Sequence, residues 1–287
     1  VTDRKGARRI SEIPPATLRA LNEGREETRT LVEWLAIDTD TLLRHVLPQV
    51  GLGREARRLR DAFEPHAGDG VTRRVRAVGR ILHEALPAAR RKAVFSRLAA
   101  HPSDMARTWA AYMVAANERL ALPKRLDLAR PFAADRHMGV RECAWDCFRP
   151  HAARDLPRAL RLLRAWVRDP DGNVRRCAIE ATRPRGVWTA HIEALKTDPE
   201  PGLALLEPVR ADPSDYVRRS VANWLNDASK SRPLWVRALC RRWERESPVP
   251  ETRGIIRRAL RTVTSAAGTA RGSSPPRRGS SASAPPA

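Results

Sequence analysis

Apolar residues recur three and four positions apart along most of this chain, and short Pro-, Gly- or Asp-containing breaks divide the runs. That spacing keeps one face of an α-helix apolar; no stretch alternates in the strict manner of a half-buried strand. ATLRALNEG ends at Gly24, a helix C-cap signal. Helices are predicted over Glu26–Ala36, with Leu31, Trp34 and Leu35 on one stripe, and over Thr39–Val50. Arg54–Phe63 and Val71–Leu86 follow, separated by Gly68-Asp69-Gly70. Ala88–Ala100 lies between Pro87 and Pro102, and Met105–Leu122 is closed by Pro123. Similar helices joined by short turns continue to about Thr262, which makes the chain all-α.

Within this pattern one unit repeats. With Val140, Val174 and Val217 as position zero, an aspartate precedes each by five residues: Asp135, Asp169 and Asp212. Positions three, four and seven read Cys143/Ala144/Cys147, Cys177/Ala178/Ala181 and Ser220/Val221/Trp224. At about 100° per residue these share a face with position zero, and that face is apolar or small. The opposite face carries Glu142/Asp146/Arg149, Arg176/Glu180/Arg183 and Arg219/Asn223/Asn226 at positions two, six and nine. A weaker fourth copy surrounds Ile256-Arg257-Arg258. The spacing, about 34 to 43 residues, is that of HEAT-type helical pairs, which stack into a solenoid and set equivalent positions in a ladder.

Composition changes the picture in one respect. Apolar residues at 42% and charged residues at 30% describe a globular chain, but the net charge is +21. An arginine-rich, GC-biased genome explains 49 Arg against five Lys without explaining basic over acidic. Such a surplus suits a polyanionic partner. Three segments follow: a loose N-terminus over 1–12, a helical-repeat domain over 13–262 and a Ser/Pro/Ala-rich disordered tail over 263–287. Only Arg271, Arg277 and Arg278 fall in the tail, so the helical body carries nearly all the excess. No run is long and apolar enough to cross a membrane and no secretory pattern opens the chain, which points to the cytoplasm.

Candidate chemistry is narrow. Cys143, Cys147, Cys177 and Cys240 form no CxxC and read as small core residues, without a metal site or cofactor. GxSxG, Walker, GxGxxG and HExxH motifs are absent, and the seven histidines are scattered. What remains is acids embedded in arginine beside tryptophan: Glu180 between Arg176 and Arg183, Asp146 beside Trp145, and Asp227 after Asn226. Such pairs often do no more than stabilise an exposed helix. One ladder position holding Asp146, Glu180 and Asn223 in consecutive repeats, on an arginine-rich face, raises the functional alternative. An acid held among arginines stays ionised, which favours stabilising a developing cation over donating a proton. Trp224 falls on the packed face, whereas Trp188, after Pro184-Arg185-Gly186 in a turn, is harder to bury.

CAIEATRPRGVW, LLEPVRADPSDYVRRSVANWLNDASK and ETRGIIRRALRT, taken together, resemble the DNA alkylation-repair glycosylases of the AlkC/AlkD superfamily, most closely short AlkC-type relatives. The resemblance is strong over about 135–262 and implies HEAT-like repeats with a basic concave face that holds duplex DNA. It implies a monofunctional hydrolase excising cationic N-alkylpurines, of the 3-methyladenine and 7-methylguanine type, without base flipping. By similarity Glu180, Asp227 and Trp188 match the family's site residues. The upstream acid of the family is here replaced by Trp145-Asp146 ahead of Arg149-Pro150, so the role passes to Asp146 or is lost. Glu180 would stabilise the sugar cation and orient water, assisted by Asp146 and Asp227, with Trp188 and Trp145 packed on the deoxyribose. Arg149, Arg176, Arg183, Arg185, Arg218, Arg219, Asn223 and Asn226 would contact DNA. A monomer with no obligatory protein partner is expected. A non-catalytic HEAT scaffold that binds DNA or another acidic partner is the alternative.

Overall fold

The computed structural model describes residues 4–186 and 188–263, and every regular element among them is helical. In chain order these are α1 Pro15–Asn22, α2 Leu31–Ala36, α3 Thr39–Gln49, α4 Ala56–Phe63, α5 Val71–Ala85, α6 Ala88–Ala99, α7 Asp104–Ala116 and α8 Leu122–Ala133. Then come α9 Met138–Arg154, α10 Leu156–Trp166, α11 Gly172–Ala181, α12 Glu193–Thr197, α13 Leu203–Leu206, α14 Asp215–Ser229, α15 Pro233–Glu246 and α16 Pro250–Ala259. The expected tail lies, apart from Val263, outside the described residues, as do positions 1–3.

One row of helices runs through the fold: α5, α7, α9, α11, α14 and α16 each pack on the next. Helices α6, α8, α10 and α15 flank this row. Because row helices have neighbours on several sides, they bury more than one stripe. Every residue of α7 from Asp104 to Val114 is buried, and all twelve residues at positions zero, three, four and seven of the repeat are buried as well.

The repeat has a polar device of its own. At position one, Arg141 donates to the carbonyls of Asp135 and Arg136, Arg175 to those of Asp169 and Pro170, and Arg218 to those of Asp212 and Pro213. Arg107 does the same to His101 and Pro102, one repeat earlier. The aspartate side chain turns the same loop by accepting the amide two residues on, at His137, Asp171 and Ser214. The equivalent acceptor before α7 is His101 Nδ1, bonded by the Ser103 amide. Carboxylates also tie repeats together, as Arg107 binds Asp135 and Arg175 binds Asp212. The peptide groups of each partly exposed loop at a helix N-terminus are thereby given fixed partners.

Some boundaries differ from expectation. Glu26–Ala36 is helical only from Leu31, because the Thr30 hydroxyl caps α2 by accepting the Glu33 amide. The stripe of that segment faces outward: Leu31 and Leu35 are exposed and Trp34 is half-buried. Met105–Leu122 breaks after Ala116, and Pro123 opens α8 instead of closing α7, since proline suits the first helical turn. Within the segment expected to be loose, Arg4 and Ala7 are fastened to the body, while residues 8–12 are exposed. Buried Glu33 accepts from Arg4, from the Ala7 amide and from the Arg29 amide.

Candidate functional site

Asp146, Glu180 and Asp227, on α9, α11 and α14, are each only 4% exposed, although Asp146 and Glu180 lie on the face predicted to be polar. Their burial is made tolerable by arginine. Arg183 donates to Glu180 Oε2 at 3.0 Å and to Asp227 Oδ2 at 2.9 Å, so one guanidinium bridges two rungs of the ladder. Burial opposes the Arg183 charge, but Glu180 and Asp227 outweigh it and hold its pKa above the ordinary value. Glu180 Oε1 accepts the Ser220 hydroxyl at 2.6 Å, and Lys230 reaches Asp227 Oδ1 at 3.2 Å. Removing either partner of such a pair strands a buried charge.

Asp146 is held from the other side. Arg76 of α5 binds it bidentately at 2.7–3.1 Å, and the buried Tyr112 hydroxyl of α7 donates to Oδ2 at 2.6 Å. Both partners come from the part of the chain where the sequence offered no specific sign. Gly79 supplies the approach: a Cβ there would lie 2.4 Å from Tyr112 Cβ and 3.0 Å from the Trp109 carbonyl, so only glycine lets α5 close on α7. Two clefts, of about 340 Å³ and 270 Å³, meet at Asp146 and Tyr112. The larger is rimmed by Leu31, Leu35, Met138 and Trp188, and Glu142 lines it.

Trp188 stands at the tip of the loop after α11. That loop closes on itself through the Ile192 amide and the Pro184 carbonyl. Its indole is 54% exposed and stacks on Trp145 with ring centroids 6.3 Å apart and planes 21° apart. Trp145 is itself buried, so it backs Trp188 and is not available to a ligand, contrary to the expectation for it.

Several expected DNA contacts are corrected by burial. Arg149 is inside the fold, where Nε and Nη2 donate to the Ala190 carbonyl and Nη1 to that of Ala181. Burial, then Arg183, pushes its pKa down to about 10, still cationic at neutral pH. Arg176 is packed over the Tyr216 ring at 4.2 Å and bonded to Glu142 at 2.5 Å, with Glu180 3.7 Å away. Asn226 is buried against Ala259 and Thr262. Arg218 is largely committed to its loop carbonyls. Arg149, Arg176 and Asn226 build the wall and do not face outward from it, whereas Arg218 is half-buried. Arg219 is exposed and paired with Asp215, Asn223 is half-buried beside Arg261, and Arg185 bonds Ser231 and the Asp227 carbonyl.

The four thiols are buried, and burial raises the pKa of each, Cys240 to about 11. Among the described residues no three His, Cys, Asp or Glu come together as a metal site, and no helix is long and apolar enough to cross a membrane.

Residues 135–261 match the family model described as DNA alkylation repair enzyme. Over 76 residues the chain is 46% identical to the uncharacterized protein YhaZ of Bacillus subtilis, covering 26% of this chain and 21% of that protein. The fold is similar to the Pseudomonas fluorescens alkylpurine DNA glycosylase AlkC, solved bound to DNA containing an abasic site analog. The TM-score is 0.66 at 28% identity over 80% of this chain and 64% of that one. AlkD2 from Streptococcus mutans shares the fold at a TM-score of 0.58 and 20% identity, covering 72% of this chain and 96% of its own.

Proposed function

We propose that this chain is a member of the DNA alkylation-repair glycosylase superfamily and a monofunctional alkylpurine DNA glycosylase acting on duplex DNA, a reading supported by the family match over 135–261 and the likeness to AlkC. The observation that carries this reading is the pair of ionisable rungs, Glu180 and Asp227, bridged by Arg183 on the wall that also presents Trp188. A cationic 3-methyladenine or 7-methylguanine is already a good leaving group, so no acid is needed at the base. The glycosidic bond breaks with both electrons going to the base, which departs neutral. Water adds to C1′ and releases its proton to solvent. The positive charge that develops on the sugar is what the protein must stabilise, and fixed carboxylates in a desolvated wall do this with little reorganisation. Trp188 offers its open face to the deoxyribose and Asp146 adds negative potential from the neighbouring rung. In this scheme the base stays in the duplex. Arg185 and Arg219, with Arg183 and Asn223 beside them, would face the phosphates of a basic concave surface, and the protein would act as a monomer.

One observation favours a second reading. Glu180, Asp146 and Asp227 are so completely paired that they would also serve a non-catalytic DNA-binding solenoid. Release of free base from methylated duplex separates the two. The enzyme liberates 3-methyladenine or 7-methylguanine and leaves abasic sites, whereas the scaffold binds the same duplex and liberates nothing.

A further inference from the structure

Glu142 is the most accessible carboxylate of this wall. Its side chain is 29% exposed, against 3% for Asp146 and 5% for both Glu180 and Asp227. It lies on α9 one turn before Asp146 and lines the larger cleft beneath Trp188. Its two oxygens do different things. Oε2 accepts the Trp145 indole N–H at 2.9 Å, and Oε1 accepts Arg176 Nη2 at 2.5 Å.

We propose that Glu142 is a positioning residue: it fixes the plane of Trp145 and so sets the orientation of Trp188 at the wall. The geometry joins the parts in series. Arg176, held over the Tyr216 ring and beside Glu180, anchors one oxygen of Glu142. The other oxygen orients Trp145, and Trp145 is the surface on which Trp188 stacks. Trp188 needs such a template because its own loop gives it little cover; it is more than half exposed. A stack alone leaves the lower ring free to slide or tilt, whereas an indole N–H bonded to a carboxylate has a fixed direction. The rung that holds Glu180 and the aromatic face are thus placed by one side chain. The catalytic consequence rests on the glycosylase reading above; the positioning itself does not.

The test compares Glu142→Ala with Glu142→Gln, whose amide oxygen still accepts the indole N–H but carries no charge. Each is measured with and without Trp188→Phe, so that difference near-UV circular dichroism reports the Trp145–Trp188 pair. Glu142→Ala is expected to lose the coupled signal and to make Trp188 more open to acrylamide quenching, and Glu142→Gln to keep most of both. Single-turnover base release from 7-methylguanine duplex should fall at least tenfold in Glu142→Ala, with undamaged-duplex affinity changed less than twofold. Glu142→Gln should recover most of that rate. Trp145→Phe, which lacks the N–H, should match Glu142→Ala in quenching of Trp188 and in base release, and serves by those two readouts if the alanine variant does not fold. An unchanged coupled signal in Glu142→Ala overturns the proposal. So does a Glu142→Gln variant as slow as Glu142→Ala with the signal intact, because the charge would then act directly. Should the wild type release no base, the glycosylase reading fails and the spectroscopic arm alone decides the positioning.

Discussion

Arg149, deep in α9, gives two N–H groups to the single carbonyl of Ala190, at 3.1 and 2.9 Å. That carbonyl lies two residues beyond Trp188, so the guanidinium clamps the loop that carries the exposed ring. Arg149→Met keeps much of the volume but leaves the Ala190 and Ala181 carbonyls without their donor. The cost should be about 1–3 kcal/mol for the buried Ala181 carbonyl and less for that of exposed Ala190, which water can reach. Chemical denaturation should show it as a lower midpoint, accompanied by greater quenching of Trp188. A midpoint equal to wild type would mean that the loop is held some other way.

Arg176 and Arg219 should separate wall from surface. Arg176→Ala strips half-buried Glu142 of its arginine while Glu180 keeps Arg183, a loss of about 1–3 kcal/mol of stability. Arg219→Ala should leave the melting temperature nearly unchanged. It should flatten the dependence of log K on log salt for duplex binding by about one unit. The reverse pattern would place DNA against the buried face.

Gly79→Ala tests the contact that brings Tyr112 to Asp146. The added methyl would meet Tyr112 Cβ and backbone, neither of which can rotate away. Overpacking of this kind costs about 1–3 kcal/mol. The Tyr112 hydroxyl should leave Asp146 as α5 and α7 separate, a change visible in the tyrosine band of the ultraviolet difference spectrum. An unperturbed band with full stability would show that the helices yield without cost.

Acid sensitivity should appear around His101. Burial, then Arg107, holds its pKa below the ordinary 6.5, and its Nδ1 must stay unprotonated to accept the Ser103 amide. On acidification the unfolded chain therefore takes up the proton first. The stability conferred by neutral His101 is complete above about pH 6.5 and is lost as pH falls through the lower folded value. His101→Asn places a neutral acceptor in the same turn and should make the decline between pH 7 and pH 5 shallower. His83 and His151, whose pKa values are also lowered, leave some of that decline in place. Denaturation midpoints across this range check it; an unchanged slope assigns the effect to other groups.

The helical repeat and its packed face were readable in the residues, because local spacing alone decides which side of a helix is apolar. Val140, Val174 and Val217 and their partners at positions three, four and seven are buried as expected. The polar face was harder. Position-six acids and neighbouring arginines look like a solvated surface in a single helix, and only stacking of one repeat on the next turns them inward. Arg149 and Arg176 passed for phosphate ligands for that reason. Tyr112 and Arg76 had no local sign at all: they stand 34 and 70 residues from Asp146, among other arginines and aromatics of the same kind. Gly79, a glycine inside a helical run, is a signal that could have flagged a close approach there.

The central claim is that Glu180 stabilises a cationic sugar during loss of an alkylated base. Single-turnover base release from 7-methylguanine duplex by wild type and Glu180→Gln, at equal bound fraction, tests it most directly. The amide preserves size and can still meet Ser220 and Arg183, so DNA affinity should be retained within a fewfold. Wild type should release the base, and Glu180→Gln should lose about 10²–10³-fold, the scale of removing one preorganised electrostatic group. Release at the wild-type rate by Glu180→Gln would contradict it.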